Sequence, residues 1–384
     1  MTEPAFPPEE FAARLARARD AMTGAGLDGL VVSVPENIYY LTGLDHWGWF
    51  ACHLLILPVE GEPLLLARGM ERATAEAMVS NARFLGHADH EDIADLAVDA
   101  LAGAGLAEAR LGLEMRSLFL TPRIADAIRA GTPRAAWADA SGLVDATRRV
   151  LSRRERVHLR AAARAADAGT AAAIEAVRDG AADHAVAAEC HRAMIAAGSE
   201  YPGFGPFIRP GARLGEEHTT WRGDVFRSGD AVFLEIAAAV AKYQAPMGRL
   251  VHVGRAPDGA EAMAELARDG MRAIVAALRP GARAGDVYAA WHAVAAGAGL
   301  SAYHRHHCGY LVGIGFPPSW TGGSMVSGLA PGSELRIEAG MAVHAHSWFA
   351  GTGRPDFFTS NTVLVEEEGA EVLTRETPET LLLR

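Results

Sequence analysis

The stretch that most constrains this chain is Ala231 to Ala241, an unbroken apolar run with a single acid, Glu235, near its middle. The run follows Ser228-Gly229-Asp230, a turn signal, and shows no helical period. An apolar segment bounded in this way predicts a strand covered on both faces. A carboxylate there is costly unless it is paired or hydrogen-bonded. His218, Tyr243 and Arg249 are the nearest candidates in sequence to satisfy it. A structural ion pair with Arg249 and a functional acid are both compatible with the run itself.

The rest of the chain supplies the surroundings. Its 384 residues suffice for two domains, and half of them are hydrophobic, so a large core is available. The net charge of −11 is spread without basic blocks, which argues against nucleic acid as a partner. Three distant cysteines without a CxxC pair fit free thiols in a reducing compartment. The N-terminus has no apolar core of signal-peptide type. No segment reaches the roughly 18 apolar residues of a membrane span. We therefore expect a soluble, cytoplasmic protein that does not act on nucleic acid or at membranes.

Helical spacing covers Pro8 to Leu27, Met70 to Asn81, Ser152 to Arg178, His184 to Ala197, Glu261 to Leu278 and Ala284 to Ala296. Ser152 with Glu155 makes a capping box. Short strands are predicted at Leu30 to Val34, Cys52 to Val59 and Pro63 to Ala67, and Tyr201 to Leu214 reads as a Gly/Pro-rich loop. The fold class is α/β (α+β), with an N-terminal domain over 1–150 and a second domain over 151–384.

Two histidine runs stand out. His304, His306 and His307 cluster before Cys308, and His344 and His346 alternate so that both imidazoles share one strand face. His306, His344 and His346 are the better site candidates, with His304 and His307 as surface or packing residues. Asp45-His46-Trp47 places charge and aromatics in a loop, as ligand pockets and subunit contacts do.

From about Glu9 onward the chain resembles the creatinase/prolidase/methionine-aminopeptidase superfamily. The matching pieces are residues 37–43, 218–254, 278–287, His306-His307-Cys308-Gly309-Tyr310 with Phe316-Pro317-Pro318, and Glu338 to Met341. The resemblance implies a creatinase-type α/β domain followed by a pita-bread domain. That superfamily's peptidases hold two metal ions with Asp, Asp, His, Glu and Glu. Carried over, these positions fall on Glu235, Pro246, His306, His346 and on or beside Ser360. Proline offers no side-chain ligand, so the pattern resembles the metal-free branch, creatinase and ectoine hydrolase, with His218 matching a histidine that works on substrate. The implied activity is hydrolysis of a non-peptide C–N bond in an amidine, guanidino compound or cyclic amide, with no metal and no other cofactor. A metallopeptidase with an atypical metal set and an inactive binding module are the alternatives.

By the same resemblance, His218, Glu235, His306 and His346 are the catalytic set. Substrate contacts are expected from Asp45, His46, Trp47, Arg68, Tyr243, Arg249, Tyr310 and His344. Arg249 has two roles open, a clamp on a substrate carboxylate or an anchor for Glu235. A homodimer is implied, in which the N-terminal domain of one subunit helps to close the other's site. Without a metal, a neutral imidazole, His218, would take water's proton and return it to the departing nitrogen.

Overall fold

The computed structural model describes residues 5–321 and 326–384. The first four residues of the N-terminal segment read above, and residues 322–325, lie outside the described residues. The chain divides into two compact units, Met1–Arg148 and Arg149–Arg384.

The first unit alternates helices and strands. In order these are α1 (Pro8–Gly24), β1 (Gly29–Val32), α2 (Pro35–Thr42), β2 (Leu54–Pro58), β3 (Leu64–Arg68), α3 (Arg72–Met78), β4 (Arg83–His87), α4 (Ile93–Gly103), β5 (Arg110–Leu113), α5 (Pro122–Gly131), β6 (Ala136–Asp139) and α6 (Leu143–Arg148). Its sheet has the order β4-β3-β2-β1-β5-β6. α2 forms because Pro35 opens its first turn and Gly43, at φ 81°, closes it in the left-handed region.

The second unit contains α7 (Arg153–Ala176), α8 (Asp183–Ala196), β7 (Phe207–Pro210), β8 (Ala231–Val240), β9 (Tyr243–His252), α9 (Ala260–Ala277), α10 (Ala284–Gly297), β10 (Gly309–Val312), β11 (Ala342–Phe349), β12 (Phe357–Glu366), β13 (Gly369–Val372) and β14 (Leu382–Leu383). Ser152 caps α7 in the predicted box with Glu155. The apolar run is β8, buried along its length except at the two ends. The predicted loop at 201–214 contains β7, a short strand that ends on Pro210 and, among the described residues, pairs only with β8. Its edge position explains the miss, since proline is tolerated there.

The sheet order is β10-β11-β12-β9-β8-β7, with β13 beside β12 and β14 beside β9. Strand parity divides its two faces. Val232, Leu234, Ile236 and Ala238 of β8 and Met247 and Val251 of β9 share a core with residues of α7 and α8. Helix α9 packs on β11 and β12, and Trp291 of α10 donates to Ser347 Oγ at 3.3 Å. The helices thus cover one face of the sheet. Glu235, His344 and His346 stand on the other.

Candidate active site

Register places the site residues. Glu235 lies opposite Phe207 on one neighbour and Gly248 on the other. Gly248 in turn faces Ser360, which faces His346. His344 faces Thr362 on β12 and Tyr310 on β10. Opposed residues of antiparallel strands project to the same side. Five strands therefore deliver Phe207, Glu235, Ser360, His344, His346 and Tyr310 to one surface. Gly248 is required at its centre, because a Cβ there would overlap the Phe358 ring and lie 2.9 Å from Ser360 Oγ.

Glu235 is 8% exposed. No described residue donates a hydrogen bond to it or forms an ion pair with it. Burial pushes its carboxyl up to about 7, while the positive charge of Arg209 acts in the opposite direction. Arg209 is itself committed elsewhere. It donates to the carbonyls of Arg213, Thr219 and Leu214, and its guanidinium lies 4.1 Å from the Phe233 ring centroid.

The two imidazoles are tied together. His346 Nε2 lies 2.8 Å from His344 Nδ1, which is also 2.9 Å from the Tyr310 hydroxyl. His344 Nε2 lies 2.8 Å from Ser360 Oγ, and Trp320 Nε1 donates to the Tyr310 oxygen at 2.8 Å. Burial holds both imidazoles well below the usual histidine range, so they are neutral at pH 7. Sequence pattern put His344 and His346 on one face, and the structure bears this out. It corrects the expectation that Tyr310 and His344 offer their polar atoms to substrate, since those atoms bond to one another and to Ser360, Trp320 and His346.

Two further expectations are corrected. Tyr243 and Arg249 lie on the helix-covered face, because an odd position on β9 projects away from Gly248. Tyr243 is fully buried and donates to Glu155 Oε1 at 2.6 Å. Arg249 pairs in register with Leu234 and is spent on the carbonyls of Gly248, Ser360, Thr377 and Pro378 and on Asn361 Oδ1. Neither reaches Glu235 or a substrate beside it.

His218 and His306 sit at the rim. His218 is exposed, held at φ 58°, with its ring 6.0 Å from that of Phe207. A non-glycine residue in that conformation is strained, and such strain gathers at functional sites. His306 is exposed, and its ring lies 4.1 Å from His307. His307, taken above as packing, is the closer of the two to the centre, 5.7 Å from His346 and 5.2 Å from Tyr310 between ring centroids. The loops of His218 and His306 are joined by Arg305, 3.3 Å from Glu217. Phe207, whose ring lies 5.4 Å from that of Trp320, was missed because strand β7 was missed.

In the first unit, His46 packs against Trp49 and His53 and lies 3.3 Å from Glu71. Asp45 adds negative charge beside His46, Trp47 is 61% exposed, and Arg68 forms a two-point pair with Asp89.

The donor set can be compared with a two-metal centre, which wants several carboxylate oxygens. Here Pro246 occupies a central position on the face, and its carbonyl accepts from Thr362 Oγ1 at 2.7 Å. Glu235, His344 and His346 can each offer one atom within 4.8 Å of the others. One carboxylate and two imidazoles do not fit a two-metal cage. They match in type a three-ligand set for one ion such as zinc, although His344 would have to give up a hydrogen bond to serve.

Helices over one face of the sheet, with a polar histidine-rich cluster on the other and a separate α/β unit before it, define the pita-bread fold class. The chain belongs to metallopeptidase family M24, whose model matches residues 157–367, and residues 14–150 match the creatinase/prolidase N-terminal domain. It is 29% identical to the ectoine hydrolase of Halomonas elongata, over 96% of each chain. It is 28% identical to the probable dipeptidase PepE of Mycobacterium tuberculosis, over 95% of this chain and 94% of the other. The Xaa-Pro dipeptidase from Bacillus anthracis shares its fold, with a TM-score of 0.84 at 21% identity over 97% of this chain and all of the other. No helix among the described residues is long and apolar enough to cross a membrane.

Proposed function

We propose that this M24 hydrolase cleaves a non-peptide C–N bond in a small polar amidine, guanidino compound or cyclic amide, without the two-metal centre of the family's peptidases. The observation that carries the reading is Glu235, a buried carboxylate accompanied by imidazoles where a metal cage would need further acids. The likeness to an ectoine hydrolase supports it. A carboxyl poised near neutrality suits either role required of it. It can face an amidinium as its counter-charge, or hold a proton for a developing oxyanion. His218, at the mouth of the pocket, takes a proton from water and returns it to the leaving nitrogen. Positioned acid–base catalysis contributes about 10²–10⁴-fold. From the family resemblance in the sequence we further propose a cytoplasmic homodimer, with Asp45, His46, Trp47 and Arg68 of a second copy closing the site. Light scattering of the purified chain tests the dimer.

The activity test is turnover of a panel of amidines, lactams and guanidino acids by the wild type, His218→Ala and Glu235→Gln, with and without chelator. Both variants are expected to lose activity and the chelator to have no effect. Full activity in both would sink the assignment of roles, and loss on chelation would sink the metal-free reading. The three-donor cluster and the likeness to PepE favour a second reading, a dipeptidase using one ion. Stoichiometric zinc in active protein, with turnover of dipeptides, would decide for it.

A further inference from the structure

The hydrogen bonds around His344 have a direction, and it can be worked out from the one group that can only donate. Trp320 Nε1 is a donor without an acceptor, so at 2.8 Å the Tyr310 oxygen accepts from it. The Tyr310 proton is then directed to its other near neighbour, His344 Nδ1, at 2.9 Å. His344 Nδ1 is therefore the unprotonated nitrogen of that ring. Its Nε2 carries the hydrogen and donates to Ser360 Oγ at 2.8 Å. His346 Nε2, 2.8 Å from the same Nδ1, then faces an acceptor and carries a hydrogen, sharing the single Nδ1 lone pair with the Tyr310 hydroxyl. This leaves the lone pair of His346 on Nδ1, in a residue 8% exposed and clustered with Glu235.

The geometry points to His346 as the general base on water in the proposed hydrolysis, with Trp320, Tyr310 and His344 as positioning residues that fix it in the Nε2–H tautomer. The inference rests on the proposed function for its reaction and on the hydrogen bonds alone for the tautomer. His346 Nδ1 removes a proton from water as the oxygen forms a bond to the electrophilic carbon. The π pair of that carbon moves to its heteroatom. When the pair returns, the C–N bond breaks with its electrons on nitrogen, which takes up a proton. His218 relays that proton from solvent at the rim, and His346 releases its own to solvent, so both rings end as they began. Relative to the earlier assignment, activation of water moves from the exposed His218 to the buried His346. During the step, His346 becomes an imidazolium whose Nε2–H still meets the His344 lone pair, while burial opposes its charge, so the ring gives the proton up again once the C–N bond has broken.

The test combines a spectroscopic and a kinetic readout on the full chain. In protein labelled with ¹⁵N-histidine, the His346 signals are assigned by their loss in His346→Gln. We expect a pyridine-type shift at Nδ1 and a pyrrole-type shift at Nε2. Tyr310→Phe, which keeps the ring and removes the directing proton, should populate the other tautomer. His344→Leu should lower kcat by on the order of 10²-fold or more with KM little changed. His344→Gln, whose amide oxygen can accept from His346 Nε2, should recover part of that loss. A pyridine-type Nε2 in the wild type would overturn the assignment. So would a folded Tyr310→Phe with both tautomer and kcat unchanged, an outcome that does not depend on whether His344→Leu folds. The expected shifts in a protein that turns over no small C–N substrate would support the hydrogen-bond direction while refuting the proposed function.

Discussion

Glu235→Gln separates the stability cost of the buried acid from its use. In the folded chain the carboxyl titrates at about 7, against 4.5 for an ordinary glutamate, because burial disfavours its charge. The folded state therefore keeps a proton that the unfolded state has lost at any pH between those values. Stability conferred by the neutral acid is present below about 4.5, falls as pH rises, and is gone above about 7. Integrated over that window the loss is about 3 kcal/mol. Gln has nearly the same shape and no proton to lose. The variant should match the wild type in stability near pH 4.5 and exceed it by about 3 kcal/mol at pH 8, while losing catalytic activity. Urea unfolding of both proteins across that range provides the measurement, with unchanged m values confirming that the same surface unfolds. A difference independent of pH, or a less stable variant at pH 8, would refute the argument that burial controls this group.

Two further outcomes follow from the strand faces. Arg249→Ala removes a guanidinium, itself lowered to about 10 by burial, and leaves the carbonyls of Ser360, Thr377 and Pro378 unsatisfied. A loss of about 3–5 kcal/mol is expected from comparable buried charged groups, read as a lower Tm with KM unchanged in whatever remains folded. A raised KM at unchanged Tm would return Arg249 to the substrate. Gly248→Ala places a methyl against Phe358 and Ser360, which should cost about 1–3 kcal/mol and lower kcat by displacing β12 from His344. Wild-type stability and rate would show that the face has slack.

Much of the site was legible in the sequence, and the errors have a common origin. The apolar run gave strand β8, the alternation His344-Ala345-His346 gave a shared face, and Ser152 with Glu155 gave the start of α7. Each depends on local periodicity or capping, which a short stretch determines by its own geometry. Arg249 was open as a partner for Glu235 because the two are near in sequence, yet the hairpin turn sets Glu235 opposite Gly248 and sends Arg249 to the other side. A one-residue change of register reverses every side chain, so pairing must be known before an ion pair can be read. His307 and Trp320 were set aside or missed for a related reason, since ring contacts across β10 and β11 and the close approach of the segment after β10 are invisible along the chain.

The sequence by itself therefore determined which side chains are chemically able and, within a single strand, which of them share a side. Only the tertiary structure decided which strands are neighbours, with β12 between β11 and β9, and so which able groups meet. That decision leaves Glu235 without a hydrogen-bonding partner among the described residues and gives His346 a donor's role toward His344. The physical reason is that hydrogen-bond direction and desolvation depend on what surrounds an atom in space, and residues far apart in the chain supply those surroundings.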